Sequence, residues 1–136
     1  MDRPVASEST LEIPHTQRRI MVVEDDHLIL RQIAFNLESH GYSVDTAVNG
    51  VEAIKRMMNS RPDLLITDIM MPEMDGYELV SSVRADPELK DVPIIMLTAR
   101  TQDDDMMQGY QSGTDLYLTK PFNPSELITF VDRILG

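Results

Sequence analysis

Short runs made only of apolar residues constrain the fold of this chain more than any other feature. Clear examples are Ile20 to Val23, Leu64 to Ile66 and Ile94 to Leu97. A continuous apolar run of this length is typical of a strand buried on both faces, as in a parallel sheet. Longer segments between them, such as Asp26 to His40, carry apolar residues at helical spacing. Strands that alternate with helices predict an α/β domain with a parallel sheet and helices on both faces.

Five strands and five helices are predicted in strict alternation. The strands are expected at Arg19 to Glu24, Ser43 to Ala47, Leu64 to Asp68, Pro93 to Thr98 and Leu116 to Thr119. The helices are expected at Asp26 to His40, Val51 to Asn59, Tyr77 to Ala85, Thr101 to Ser112 and Pro124 to Leu135. These elements form one domain over residues 19–136. Residues 1–18 are polar and aperiodic, and we expect them to be a flexible N-terminal tail.

Residues at the helix ends support these boundaries. Asp26 is predicted to be the N-cap of the first helix. Gly41 and Gly113 are predicted to stop the helices that precede them. Asn49-Gly50 is predicted to be a turn before the second helix.

Composition excludes several classes of function. No apolar run approaches the roughly 18 residues of a membrane span, so we expect no membrane insertion. The N-terminus lacks the apolar core of a secretion signal, which favours a cytoplasmic location. A formal net charge of −11 argues against direct binding of nucleic acid. The absence of cysteine excludes thiolate catalysis and Cys-ligated zinc.

One carboxylate occupies a position suited to chemistry. Asp68 lies two residues after the last residue of the apolar run Leu64 to Ile66, and Pro72 and Asp75-Gly76 then force a loop and turn. It therefore ends a buried strand. In open α/β sheets, ligands bind at the edge formed by the carboxyl ends of the strands.

Polar residues at four strand ends meet at the same edge. They are Glu24-Asp25-Asp26, Asp68, Thr98 and Thr119-Lys120. Carboxylates brought together repel one another, which raises their pKa values unless a cation is present. A hard divalent cation with oxygen ligands relieves this repulsion. Mg²⁺ is favoured over a transition metal because these strand ends carry neither His nor Cys.

Four motifs resemble the receiver domains of two-component response regulators. They are Val22-Val23-Glu24-Asp25-Asp26, the stretch from Thr67 to Gly76, Leu97-Thr98-Ala99-Arg100, and Tyr117-Leu118-Thr119-Lys120-Pro121-Phe122. The resemblance covers residues 19–135 and implies a flavodoxin-like, doubly wound sheet with strand order 2-1-3-4-5. It also implies a Lys120-Pro121 bond that is often cis.

The resemblance implies a role for each site residue. Asp68 would be the nucleophile that accepts a phosphoryl group from a histidine kinase or a histidine phosphotransfer protein. Glu24, Asp25, Asp68 and the backbone carbonyl of Met70 would hold Mg²⁺. Thr98 and Lys120 would contact the phosphoryl oxygens. Thr98 and Tyr117 would form the switch.

Partners are expected on two surfaces. A kinase that delivers a phosphoryl group to Asp68 must cover the residues flanking it, namely Leu28, Ile29, Gln32, Phe122 and Asn123. The readout face would comprise the helix Thr101 to Ser112, the last strand and the last helix, including Arg100, Met107, Tyr110 and Tyr117. That face would act on a separate downstream protein or on a second copy of the chain.

Other functions remain as alternatives. The chain is expected to be a self-phosphorylating switch and not a turnover enzyme. It could instead be a phosphate-relay intermediate, a receiver fragment of a larger regulator or hybrid kinase, or a receiver-like module that docks partners without phosphorylation. An aspartyl-phosphate phosphatase would need an acid where Met70 stands. A flavin carrier would need a hydroxyl-rich phosphate loop after the first strand, which this chain lacks.

Overall fold

The strands form one parallel sheet. The computed structural model describes residues 18–99 and 113–136. Its strands are β1 (Arg19–Val23), β2 (Ser43–Ala47), β3 (Leu64–Asp68), β4 (Ile94–Ala99) and β5 (Leu116–Lys120). All neighbouring strands pair in parallel, in the order β2-β1-β3-β4-β5. The predicted fold class and strand order are confirmed.

Three of the described helices connect successive strands, and a fourth follows β5. Those in the described ranges are α1 (His27–Ser39), α2 (Gly50–Asn59), α3 (Gly76–Ala85) and α4 (Pro124–Leu135). The predicted helix over Thr101 to Ser112 lies outside the described residues, as does the predicted tail apart from Arg18. Within the described part of the chain, no helix combines the length and the apolar character that a membrane span requires.

Two apolar layers hold the helices against the sheet. One packs α2 and α3 against alternate strand residues such as Leu65, Ile94 and Met96. The other packs α1 and α4 against the intervening residues, such as Ile66 and Leu97. Since β3 supplies residues to both layers, it is buried along its whole length. This double burial explains why its sequence shows an apolar run without alternation.

Side-chain caps fix where each helix begins. Asp26, Asn49, Asp75 and Asn123 each accept backbone N–H bonds from the first turn of their helix. The prediction for Asp26 is confirmed. The predicted turn at Asn49-Gly50 needs correction, because Gly50 is the first residue of α2 and Asn49 is its cap. Asn-Gly suits a turn and a helix start equally well, so the dipeptide alone did not decide between them.

Candidate phosphoacceptor and metal site

The ends of β1, β3 and β5 bring two acids and a lysine into direct contact. The Lys120 Nζ atom lies 2.9 Å from Glu24 Oε1 and 3.1 Å from Asp68 Oδ1. The Glu24 side chain is 2% exposed, and those of Asp68 and Lys120 are 13% and 25% exposed. The predicted convergence of these three residues at one edge of the sheet is therefore observed, and Lys120 bridges the two acids.

A third acid completes an oxygen-rich cluster. Glu24, Asp25 and Asp68 each offer a carboxylate oxygen, and these oxygens lie within 4.8 Å of one another. Three carboxyl groups face the single ammonium of Lys120, so acidic groups outnumber basic ones in the cluster. Hard oxygen ligands with excess negative charge are what Mg²⁺ prefers, so the residues present fit this ion. Asp25 is exposed, which leaves room for water ligands at the outer side.

Burial governs the electrostatics of Glu24. The pKa of this carboxyl is raised, first because burial penalises its charge and then because Asp68 lies nearby, despite a hydrogen bond from Lys120. Repulsion alone was the predicted cause, and burial proves to be the larger one. Burial lowers the pKa of Lys120, but the hydrogen bond to Glu24 and the charge of Asp68 outweigh it, and the net pKa is raised. The lysine thus stays charged.

The loop after Asp68 is tightly fitted to the strand. Gly76 N–H donates to the carbonyl of Ile69 at 2.8 Å. Asp75 caps α3, and its own N–H donates to Glu78, so that the two form a capping box. Glu73 has a φ of 69°, a left-handed conformation that a non-glycine residue rarely adopts. Such strain is characteristic of functional loops.

Met70 lies in this loop, two residues after Asp68. Its side chain is 65% exposed. The role of its backbone carbonyl as a metal ligand stays a prediction. An aspartyl-phosphate phosphatase would need an acidic side chain at this position to act as general acid, and residue 70 is a methionine.

Thr98 on β4 and Tyr117 on β5 lie on neighbouring strands. Thr98 follows Ile94 and Met96 in the β4 row that faces α2 and α3, and Tyr117 pairs in register with Met96. Both predicted switch residues are buried, at 1% and 8% exposure. The strand register therefore puts Thr98 and Tyr117 on the same face, one strand apart.

A cavity lies beside the site, between α1 and the β5–α4 loop. Its volume is about 430 Å³, and its lining includes Ile29, Gln32, Lys120 and Phe122. These include three of the five residues predicted to meet a kinase. Leu28, a fourth, is 65% exposed on α1. The sequence did not reveal the cavity, because it is formed by segments about 90 residues apart.

Of the remaining sequence predictions, one is confirmed and several concern residues outside the described ranges. The Lys120-Pro121 peptide is cis, as the resemblance implied. Asn123 caps α4 and thus has a structural role besides any role in docking. The readout residues Arg100, Met107 and Tyr110 lie outside the described residues. The contacts of Arg84, described below, had no counterpart in the sequence predictions.

Known proteins resemble this chain in sequence and in fold. Residues 20–132 match the family model described as the response regulator receiver domain. The chain is 39% identical over 117 residues to the DNA-binding dual master transcriptional regulator RpaA of a Synechocystis species; the match covers 86% of this chain and 48% of RpaA. The chain spans about half the length of the curated relatives it matches.

Two solved structures show the same architecture. The chemotaxis response regulator CheY4 of Vibrio cholerae superposes with a TM-score of 0.81 at 35% identity, covering 86% of this chain and 98% of that one. The receiver domain of the sensor histidine kinase PA1611 from Pseudomonas aeruginosa gives 0.81 at 33% identity, covering 88% and 98%; its structure has a magnesium ion coordinated in the active-site cleft. With its sheet order, its acidic edge and its bridging lysine, this chain belongs to the response regulator receiver domain family of two-component signalling.

Proposed function

We propose that the chain is a phosphorylatable switch in which Asp68 accepts a phosphoryl group from a histidine kinase or a histidine phosphotransfer protein. The observation that carries the proposal is the contact of Lys120 Nζ with both Glu24 and Asp68 at a three-carboxylate edge. A cytoplasmic location is part of the proposal, because ATP, the source of phosphoryl groups for such kinases, is found there.

The chemical step needs a nucleophile, positioning and charge neutralisation. An Asp68 carboxylate oxygen attacks phosphorus, the new O–P bond forms as the P–N bond of the phosphohistidine breaks, and the imidazole leaves. Lys120 is within 3.1 Å of Asp68 and can shift to an oxygen of the arriving group. The hydroxyl of Thr98 would contact a further phosphoryl oxygen.

Glu24, Asp25, Asp68 and the carbonyl of Met70 would hold the Mg²⁺. When bound, the ion supplies positive charge that offsets the charge on the phosphoryl oxygens. Glu24 also accepts the N–H of Asp26 at 3.2 Å, which orients one of its oxygens at the start of α1. The buried acid is therefore held in place before any ligand arrives.

The phosphoryl group is proposed to shift an equilibrium between two surface states. It adds roughly 1.5 to 2 negative charges and strong acceptor oxygens at Asp68. Movement of Thr98 toward it would open space for the Tyr117 ring, since the two residues share one face of the sheet. The altered surface would act on a downstream protein or on a second copy. The chain turns over no substrate of its own in this scheme.

A second candidate is a receiver segment of a larger regulator or hybrid kinase, or a relay intermediate. Two observations favour it: the chain matches about half of each curated relative, and it resembles the receiver domain of a sensor histidine kinase. Under this reading the chemistry at Asp68 is unchanged, and only the destination of the phosphoryl group differs.

Incubation with acetyl phosphate and Mg²⁺, followed by borohydride trapping and mass spectrometry, tests the proposal. We expect one modification, at Asp68, that requires Mg²⁺ and disappears in Asp68→Asn. Equal labelling of Asp68→Asn would refute Asp68 as the acceptor. Chase of the label onto a phosphotransfer protein would favour the relay over the switch.

A further inference from the structure

Arg84, near the end of α3, ties together two chain segments distant from the phosphoacceptor. Its Nε and Nη2 atoms donate to the carbonyl of Gly113 at 3.0 and 2.8 Å. Its Nη1 atom donates to the carbonyls of Lys90 and Val92, both at 2.7 Å. Nη2 also forms an ion pair with Asp115 Oδ2 at 2.9 Å. One guanidinium therefore joins α3 to the segments that lead into β4 and β5.

Asp115 passes this restraint on to β4. Its Oδ2 accepts the N–H of Ile94 at 2.7 Å, and its own N–H donates to the carbonyl of Ile94 at 3.0 Å. From this point β5 runs in register with β4, from Leu116 opposite Ile95 to Lys120 opposite Ala99. The anchored end and Lys120 are thus opposite ends of the same strand.

Strand β5 is held by fewer neighbouring strands than β1 and β3, the other strands that carry site residues. Among the described residues it is an edge strand that pairs only with β4, whereas β1 and β3 each have two neighbours. The adjacent Thr114 adds no polar anchor, because in the described part of the chain its buried hydroxyl has no hydrogen-bond partner. The side-chain anchoring of the start of β5 therefore falls to Arg84 and Asp115.

Register matters because Lys120 contributes through its position. A slip by one residue would move Lys120 by about 3.3 Å and turn its side chain to the other face of the sheet. It would also replace the contacts with Glu24 and Asp68 that define the site. Even a partial displacement weakens catalysis, since positioning dominates phosphoryl transfer.

We infer that Arg84 is a positioning residue for Lys120: through Gly113 and Asp115 it fixes the register of β5 and so holds the lysine ammonium at Asp68. The inference rests on the proposed phosphotransfer function. Arg84 does not touch the reacting atoms, and it acts through the strand that carries Lys120. Lysine cannot replace it, because a single ammonium cannot reach four acceptors arranged around a planar guanidinium.

A double-mutant cycle with acetyl phosphate as donor tests the inference. We expect Arg84→Met to slow labelling of Asp68 by about tenfold, the scale expected for a modest misplacement. In a Lys120→Met background the same substitution should change the rate less than about twofold, because the residue being positioned is gone. Arg56→Met on α2, which removes the exposed pair with Glu52, is the matched control and should label at the wild-type rate.

A crystal structure of the Arg84→Met protein gives a readout independent of rate. The Lys120 Nζ to Asp68 Oδ1 distance should lengthen beyond hydrogen-bonding range from 3.1 Å. Where Arg84→Met does not fold, Asp115→Ala takes its place in both experiments, because it removes the oxygen that accepts from both Arg84 and Ile94. Equal slowing in both lysine backgrounds, or an unchanged distance, would overturn the inference. Failure of the wild-type chain to label at all would overturn the proposed function instead.

Discussion

Gly76 packs directly on the backbone of Asp68, the proposed phosphoacceptor. A Cβ at position 76 would overlap the carbonyl oxygen of Asp68 and lie 2.9 Å from Ile69 Cα. Backbone atoms in a central strand cannot yield, so the loop is closed onto the strand only when residue 76 has no side chain. The position of Asp68 therefore depends partly on the lack of a side chain at Gly76, the first residue of α3.

Gly76→Ala should lower the free energy of unfolding by about 1 to 3 kcal/mol, the usual cost of overpacking. Urea denaturation followed by circular dichroism measures this. Gly50→Ala is the matched control, because Gly50 also opens a helix behind an Asx cap, but the nearest atoms to its added Cβ would belong to the side chain of Met74 and not to backbone. Equal losses for the two variants would show that the fit against Asp68 is not what makes Gly76 necessary.

Mg²⁺ should raise the melting temperature of the chain, because it binds the folded carboxylate cluster and not the unfolded chain. At ten times its Kd, a single bound ion stabilises by about 1.4 kcal/mol. Asp25→Ala should lose most of this increment, since the oxygen of Asp25 lies within 4.8 Å of those of Glu24 and Asp68. Asp26→Asn keeps a helix cap outside the cluster and should retain the full increment. A full increment in Asp25→Ala would place the ion elsewhere.

The fold was largely predictable because its signals are local. Four consecutive apolar residues, such as Ile94 to Leu97, are enough to indicate a strand buried on both faces. Caps such as Asp26 act on their immediate neighbours. The convergence of Glu24, Asp68 and Lys120 followed from topology, since carboxyl ends of parallel strands share one edge. The depth of Glu24 did not follow, because burial depends on packing by the whole fold.

Two other features escaped prediction for the same reason. Arg84 reaches partners up to 31 residues away, and its sequence context shows only an arginine at the end of a helix. Glu73, in the loop between Asp68 and Gly76, has a positive φ that its residue type does not favour. Neither the contacts of Arg84 nor the backbone angle of Glu73 can be inferred from the residue type and its neighbours in the sequence.

Tyr42 should make stability fall at alkaline pH. Burial, and then the hydrogen bond to Asp132, raise the pKa of its phenol above the ordinary value of 10.0. A raised folded-state pKa gives a contribution that is complete below pH 10 and is lost as pH rises, because only the unfolded chain then ionises at position 42. The wild type should lose up to about 1.4 kcal/mol per pH unit relative to Tyr42→Phe. Parallel pH profiles for the two proteins above pH 10 would contradict this.

Leu28→Glu should slow phosphotransfer from a cognate kinase by about tenfold, which corresponds to losing about 1.4 kcal/mol of docking energy. Labelling by acetyl phosphate should be unchanged, because Leu28 is 65% exposed on α1 and outside the site. Met58→Glu is the control, since Met58 is 56% exposed on α2. If both donors slowed together, the defect would lie in the site and not in docking.

Thr98→Ala should uncouple Tyr117 from phosphorylation. With beryllofluoride as a phosphoryl mimic, amide exchange in the wild type should change around Asp68 and along β5, because Thr98 and Tyr117 share one face of the sheet. In Thr98→Ala the change around Asp68 should remain and that at Tyr117 should vanish. A wild-type response confined to the Asp68 loop would favour a simple relay.

The strand order divides the molecule into a fixed part and an adjustable one. Displacing β3, which carries Asp68, would break its pairing with both β1 and β4, whereas in the sheet formed by residues 18–99 and 113–136 displacing β5 would break its pairing with β4 alone. Under the proposed function, we therefore expect substitutions near β5 to shift Lys120 and the rate of phosphoryl transfer in small steps, while Asp68 stays in place. Among proteins that share this sheet, we therefore expect tolerated sequence changes to gather around β5 and to be rare around β3.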